Sequence, residues 1–265
     1  MSVLTLYESF ISAFLYYCVI FLTSELSRRA VDRAFAKSST IHVFFIELIG
    51  TVTICTCVFE NGVIIVNYGI GAFFIVSTVL GFLFGTLGRG AYGNPMAPLE
   101  QYFYGEMKGS RLTLLVLAQI VGGIMSWRIT TELWRYSLPY APSHEMFYNN
   151  SLQACHLTYH QPHLYMIAFE ICGTFVMRTV FPRIAAWAIP AFISAIFSFA
   201  ISYMGDAGLD PIVSSTLFFG CHGVSQQIFM FQYWICPIIG WLSAAYIDRS
   251  FAKKPTKKAK KQKQN

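Results

Sequence analysis

A chain of 265 residues that is 55% apolar, 17% aromatic and only 12% charged cannot clothe a soluble fold, since soluble domains carry about 25% charged residues. The formal charge of +6 does not point to nucleic acid: eight of the nineteen Lys and Arg lie from Arg249 onward, so the excess describes a tail. High hydropathy broken by short polar islands reads as an all-α membrane protein, and no spacing suggests catalysis, a phosphate loop, a nucleotide or a cofactor.

A bilayer takes about 20 helical residues to cross. Seven apolar segments come close to that length: Leu4–Leu22, Ile41–Phe59, Gly69–Leu87, Leu112–Glu132, Leu164–Phe181, Ile184–Met204 and Phe229–Ile247. The first reads as a retained helix rather than a cleaved leader, because it lacks an early basic region and a clean small-residue cleavage site. The expected organisation is an extra hydrophobic helix over residues 1–26, a basic linker over 27–40, a main domain over 41–249 and a basic tail over 250–265. Within the main domain the repeats cover about 41–132 and 163–249. Two further apolar stretches, Pro95–Tyr104 and Pro211–Cys221, are too short to span, and each follows a Gly-rich turn. Gly81 and Gly85 read as a close helix contact, and Trp134 and Tyr136 as part of an interfacial belt. Cys18, Cys55, Cys57, Cys172 and Cys236 sit in apolar runs as packing residues; no Cys-x-x-Cys pair occurs and no metal site is expected.

Lys and Arg give the sidedness. Arg28, Arg29, Arg33 and Lys37 follow the first span, Arg89, Lys108 and Arg111 the third, and Arg178 and Arg183 the fifth. With seven spans and the basic tail, seventeen cations fall on one side, expected to be cytoplasmic, and only Arg128 and Arg135 on the other. The C-terminus is then cytoplasmic. A sequon, Asn149-Asn-Ser151, lies in the longest polar loop, on the expected non-cytoplasmic side.

The informative features come in pairs. The second span holds Glu47-Leu-Ile-Gly-Thr51 and the fifth Glu170-Ile-Cys-Gly-Thr174. An intramembrane carboxylate is expensive and needs donors, so two at matching places are expected to share a role. One span after each comes a Pro-led segment, Gly93-Asn94-Pro95-Met96 and Gly208-Leu-Asp210-Pro211-Ile212-Val213. Asn or Asp followed by Pro reads as an N-cap with Pro in the first helical position. Each segment is then a half-helix that enters the membrane and stops where it lines a cavity. Three spans per half put the halves in opposite orientations, so the half-helices meet N-terminus to N-terminus and turn their positive ends to a common point.

This arrangement resembles the aquaporin, or major intrinsic protein, family, whose two Asn-Pro-Ala boxes cap two re-entrant half-helices. The likeness covers about residues 41–249 and extends to Ala118-Gln119-Ile-Val-Gly122 and Tyr233-Trp-Ile-Cys-Pro237-Ile-Ile-Gly240. It implies six spanning helices and two half-helices in an inverted repeat, with Glu47 and Glu170 holding the loops through backbone hydrogen bonds. It also implies a homotetramer in lipid, and water or small neutral solutes as the permeants. The boxes here read Asn94-Pro95-Met96 and Asp210-Pro211-Ile212, and Cys221 follows Asp210 by eleven residues. Both features are similar to the unorthodox, largely intracellular branch, the superaquaporins or aquaporin eleven/twelve group. Lys261 and Lys263 resemble a dilysine endoplasmic-reticulum retrieval signal.

Family spacing places Val213 where water channels carry a filter Arg, and Phe74 and Ser198 near the aromatic and His positions. The expected filter is wider and less polar, passing glycerol or hydrogen peroxide besides water. Asp210 stands either as a pore-facing acceptor that weakens cation exclusion or as a plain N-cap. Cys221 reads as a packing or loop-stabilising residue before a redox sensor, and His222 as a loop residue before a pH-responsive group. Three functions fit: a passive channel, a non-conducting scaffold or organelle-integrity protein of the same fold, and a secondary transporter with broken helices. The channel is favoured, because Asp210 is the only carboxylate at a helix break.

Overall fold

The computed structural model describes residues 3–37 and 39–252; Lys261 and Lys263 lie outside the described residues. Helices α1 (Val3–Ala34), α2 (Thr40–Leu87), α3 (Met96–Phe103), α4 (Gly109–Ser137) and α5 (Pro142–Ser151) build the first part. Helices α6 (His163–Val180), α7 (Ile189–Phe199), α8 (Pro211–Phe218), α9 (Gln226–Met230) and α10 (Cys236–Ala252) build the second. A π-turn at Ala200–Met204 extends α7, and another at Phe231–Ile235 joins α9 to α10. Among the described residues six helices are long and apolar enough to cross a membrane.

One of those six is two spans. Helix α2 has 48 residues, more than twice what a bilayer needs. Its run breaks at Gly69, whose φ of 78° and ψ of −179° suit only glycine. In a straight helix residues 50 and 84 would stand about 50 Å apart, yet a Cβ on Gly50 would lie 3.6 Å from the Phe84 ring. The chain therefore doubles back at Gly69. This is the boundary expected between the second and third spans, and it makes α2 a helical hairpin with almost no connecting loop.

Small residues set the crossings of each half. Gly122 of α4 lies against Thr51 and the Leu48 carbonyl of α2. Gly240 of α10 lies against Thr174 and the Ile171 carbonyl of α6 in the same way. Gly81 meets Pro190 of α7 as expected, whereas Gly85 faces open space, which corrects half of the expected contact.

Helix α1 runs further than the apolar segment Leu4–Leu22 because its polar second half continues the same helix to Ala34. Ala13, Tyr16, Tyr17 and Ile20 form a core with Cys57, Phe59, Ile64, Leu80 and Trp134. Tyr17 donates to Asn61 Oδ1 at 2.7 Å, and the Tyr16 hydroxyl lies 2.9 Å from Thr130 Oγ1. The polar segment after α4 folds into α5 instead of a loop. Its His144 is buried, with Nε2 3.0 Å from Glu60 Oε1 and Nδ1 2.6 Å from Ser137 Oγ. Trp134 donates to the same Glu60 carboxylate at 2.8 Å and is 3% exposed, so it belongs to the core and not to an interfacial belt. Tyr136, by contrast, is 70% exposed.

Candidate functional site

Helices α3 and α8, eight residues each, are the two half-helices. The loops that lead into them are built alike. Glu47 accepts from Tyr92 N–H at 2.9 Å and Gly93 N–H at 2.8 Å. Glu170 accepts from Gly208 N–H at 2.6 Å and Leu209 N–H at 2.7 Å. Both carboxylates are at most 2% exposed. A buried backbone N–H without a partner is costly, so each acid organises its loop by satisfying two neighbouring donors at once.

The glycines of the two Glu-x-Φ-Gly-Thr motifs explain themselves at this point. A Cβ on Gly50 would collide with Ala91 of the first loop, and one on Gly173 with Leu209 of the second. The residue before each cap is left-handed: Gly93 has φ +68° and Leu209 φ +55°.

Asp210 caps α8 as expected, accepting from Ile212 N–H at 2.8 Å and Val213 N–H at 3.2 Å, with Pro211 in the first turn. Asn94 accepts from Met96 N–H at 3.0 Å, and α3 begins one residue later than expected, at Met96, with Pro95 already helical in φ and ψ. Met96, which opens α3, and Leu209, which precedes Asp210, share one buried cluster, so the starts of the two half-helices come together.

The larger residues in the boxes are absorbed by packing. Met96 is 1% exposed in a cluster with Leu209, Met177 and Trp241. Ile212 and Val213 pack with Cys55 in a second cluster. Of the filter candidates, Val213 sits in the first turn of α8 and Ser198 near the end of α7, where its buried hydroxyl has no protein partner. Phe74 lies on the second arm of the α2 hairpin and is 37% exposed.

Gln119 of α4 joins both parts of the first loop. Its Nε2 donates to Glu47 Oε1 at 2.7 Å and to the Asn94 carbonyl at 3.0 Å. In α8 the matching carbonyl, that of Asp210, accepts from Ser214 N–H at 2.9 Å. Four residues after Asn94 stands Pro98, which has no N–H to give, and Gln119 supplies the missing donor.

Cys221 is not a lone packing thiol but is disulfide-bonded to Cys155. The one signal in sequence was negative: Cys155 and Cys221 are the two cysteines outside the seven spanning segments. Around the bridge, His222 N–H donates to the Cys155 carbonyl at 2.8 Å and Leu157 N–H to the His222 carbonyl at 2.9 Å. Asp206, in the second loop, accepts from Thr158 N–H at 2.6 Å; burial pushes its carboxyl above the ordinary range, against that hydrogen bond. A mouth of about 550 Å³ opens here, lined by Phe219, Cys221, His222, Gln226 and Phe229. Asn149 is exposed on α5, six residues before Cys155.

On the opposite face, cations close onto acids. Arg178 of α6 grips Glu100 of α3 with Nε and Nη2 at 2.6 and 2.7 Å, and Trp241 donates to the same carboxylate at 2.8 Å. Arg249 pairs with Glu106 at 2.8 Å, and Arg183 with Asp248. The first half-helix is thus tied to the second half of the chain at its far end.

No family model matches the chain. It is similar to a Caenorhabditis elegans protein provisionally named aquaporin-10, with 35% identity over 95% of this chain and 92% of that protein. It is also similar to aquaporin-11 of Milnesium tardigradum, 27% identical over 90% and 87%, and to aquaporin-11 of Mus musculus, 22% identical over 81% and 80%. Paired carboxylate-held loops, facing half-helices and a relative this similar along nearly the whole length converge: the chain is a multi-pass membrane channel of the aquaporin family, on its aquaporin-11-like branch.

Proposed function

We propose that the channel passively conducts water and small neutral solutes, with glycerol and hydrogen peroxide among them. The convergence of the two half-helix N-termini, where Met96 and Leu209 share one buried cluster, carries this reading. Two positive helix ends facing one point disfavour cations and protons, while neutral oxygens can pass. Val213 packs among apolar neighbours where ordinary water channels place a cation, which supports a wider constriction. The buried hydroxyl of Ser198 offers a hydrogen-bonding group without a competing protein partner.

The same reading places the basic face and the C-terminus in the cytoplasm, and Asn149 with the Cys155–Cys221 bridge in an oxidising lumen. An endoplasmic-reticulum or other intracellular membrane and a homotetrameric assembly complete it. Stopped-flow light scattering on proteoliposomes tests the core of the proposal. Water, glycerol and peroxide fluxes above lipid background are expected; water flux alone would remove the wider filter. Met96 and Ile212, larger than the alanines of ordinary boxes and buried beside the two caps, favour a non-conducting scaffold. Fluxes at lipid background for every solute would establish that second reading.

A further inference from the structure

The turn between α2 and the first pore loop is Gly88-Arg89-Gly90. Arg89 is left-handed, with φ +51°, a conformation that an arginine keeps only where its surroundings hold it. Every nitrogen of its guanidinium is engaged by α1. Nη1 donates to Glu25 Oε2 at 3.0 Å and Nη2 to Glu25 Oε1 at 2.9 Å, a two-point grip. Nε lies 2.9 Å from Asp32 Oδ2. The two carboxylates are fixed in turn: Arg29 donates to Glu25 at 2.8 Å, and His42 Nε2 lies 2.9 Å from Asp32 Oδ1.

Three residues beyond Arg89, Tyr92 and Gly93 give their N–H groups to Glu47, and Asn94 then caps α3. The loop is consequently pinned from two sides, inside by Glu47 and outside by α1. The second loop has a corresponding outer tie, Asp206 to Thr158 N–H, from the segment just before α6. The first loop takes its tie from a helix that precedes both repeats.

We propose that α1 is a positioning strut for the pore: Glu25 and Asp32 hold Arg89, and through it set the place of the first pore loop and its cap Asn94. Its effect on permeation rests on the channel reading above; its effect on the loop does not. The pairs are only partly buried, with side-chain exposures of 29% for Arg89 and 20% for each acid, so simple stability is a poor measure of them. What they fix is where the loop sits.

The test uses the full-length protein in proteoliposomes and in detergent. Hydrogen exchange at Tyr92 and Gly93 reports the loop directly, and the glycerol-to-water permeability ratio reports the pore. In the Glu25→Gln/Asp32→Asn double variant and in Arg89→Gln, exchange at these two amides is expected to rise about tenfold. The permeability ratio is expected to shift about two- to tenfold. Arg89→Lys, which cannot grip both oxygens of Glu25, is expected to fall between. Glu132→Gln breaks the exposed Glu132–Arg135 pair on α4 and should leave both readouts alone. Wild-type exchange at Tyr92 and Gly93 in a double variant that still elutes as folded protein would overturn the strut. Absence of any flux from wild type would overturn the channel reading instead, and the exchange data would still decide the strut.

Discussion

The two pore loops solve one problem with different parts. Each has a buried glutamate that accepts two consecutive backbone N–H groups, a left-handed residue, a side-chain cap and a short helix. Around that shared frame nearly everything differs. The left-handed residue is Gly93 in one and Leu209 in the other, and the cap is Asn94 or Asp210. The carbonyl of the cap is satisfied by a side chain from α4 or by its own helix. The outer anchor is α1 on one side and a disulfide-braced segment on the other. The comparison separates what the architecture requires, the carboxylate and the left-handed step, from what each half arranged for itself.

Leu209 shows how a rule is relaxed. A left-handed non-glycine residue costs about 1–2 kcal/mol. Burying a leucine side chain contributes about 1.5–3 kcal/mol, and Leu209 is 1% exposed against Met96, Met177 and Trp241. Packing therefore offsets the strained backbone. At Gly93 no such offset is needed, because glycine takes the left-handed step freely; a Cβ there would also have to push aside the tip of the Ile54 side chain.

If the carboxylates are the shared frame, removing them should do the most damage. Glu47→Ala and Glu170→Ala are each expected to destabilise by about 3–5 kcal/mol, with little monodisperse protein recovered on size exclusion. Glu47→Ala should be the worse, since it strands three donors against two. Next, Cys155→Ser should cost about 2–4 kcal/mol in thermal unfolding. Its added hydrogen exchange should concentrate in residues 205–210 and spare 91–94, because the bridge braces only the second loop. Leu209→Gly should relieve strain yet lose more in packing, a net loss of about 1–2 kcal/mol by the same thermal measurement. A stabilised variant would show the strain to dominate. The smallest effect is the most diagnostic of the Pro98 argument. Gln119→Leu should cost less in a Pro98→Ala background, by about 0.5–1 kcal/mol in a double-mutant cycle, since an alanine at that position restores an N–H to the Asn94 carbonyl.

The parts of this comparison readable from residues alone were those with a strong local signature. Glu47 and Glu170 stand out because ionisable groups are rare in apolar runs, and Asn94-Pro95 and Asp210-Pro211 because Pro after a capping residue starts helices. Spans followed from length, and the break at Gly69 fell where one apolar run gave way to the next. The outer anchors left no such trace. The grip of Arg89 on Glu25 and Asp32 joins residues far apart in sequence, and charges near span ends look like sidedness markers whether paired or not. Helix α5 was missed because Pro142–Ser151 has no apolar periodicity; it is held by buried His144 and by Phe147 packed on Trp134. Trp134 was misplaced for a related reason: an indole near a span end suits an interface, and only its contact with Glu60 draws it inward.

The bridge between Cys155 and Cys221 has a consequence for covalent topology. Its two ends stand 66 positions apart in sequence, so it closes a ring of chain that passes through α6, α7 and α8, threading the membrane and returning to the same face. A single cut in the turn between α6 and α7, on the opposite face, would leave two fragments still joined by sulfur. On a gel such a nicked chain runs whole until reductant is added, and a protease on one side of the membrane would thereby register a bond made on the other.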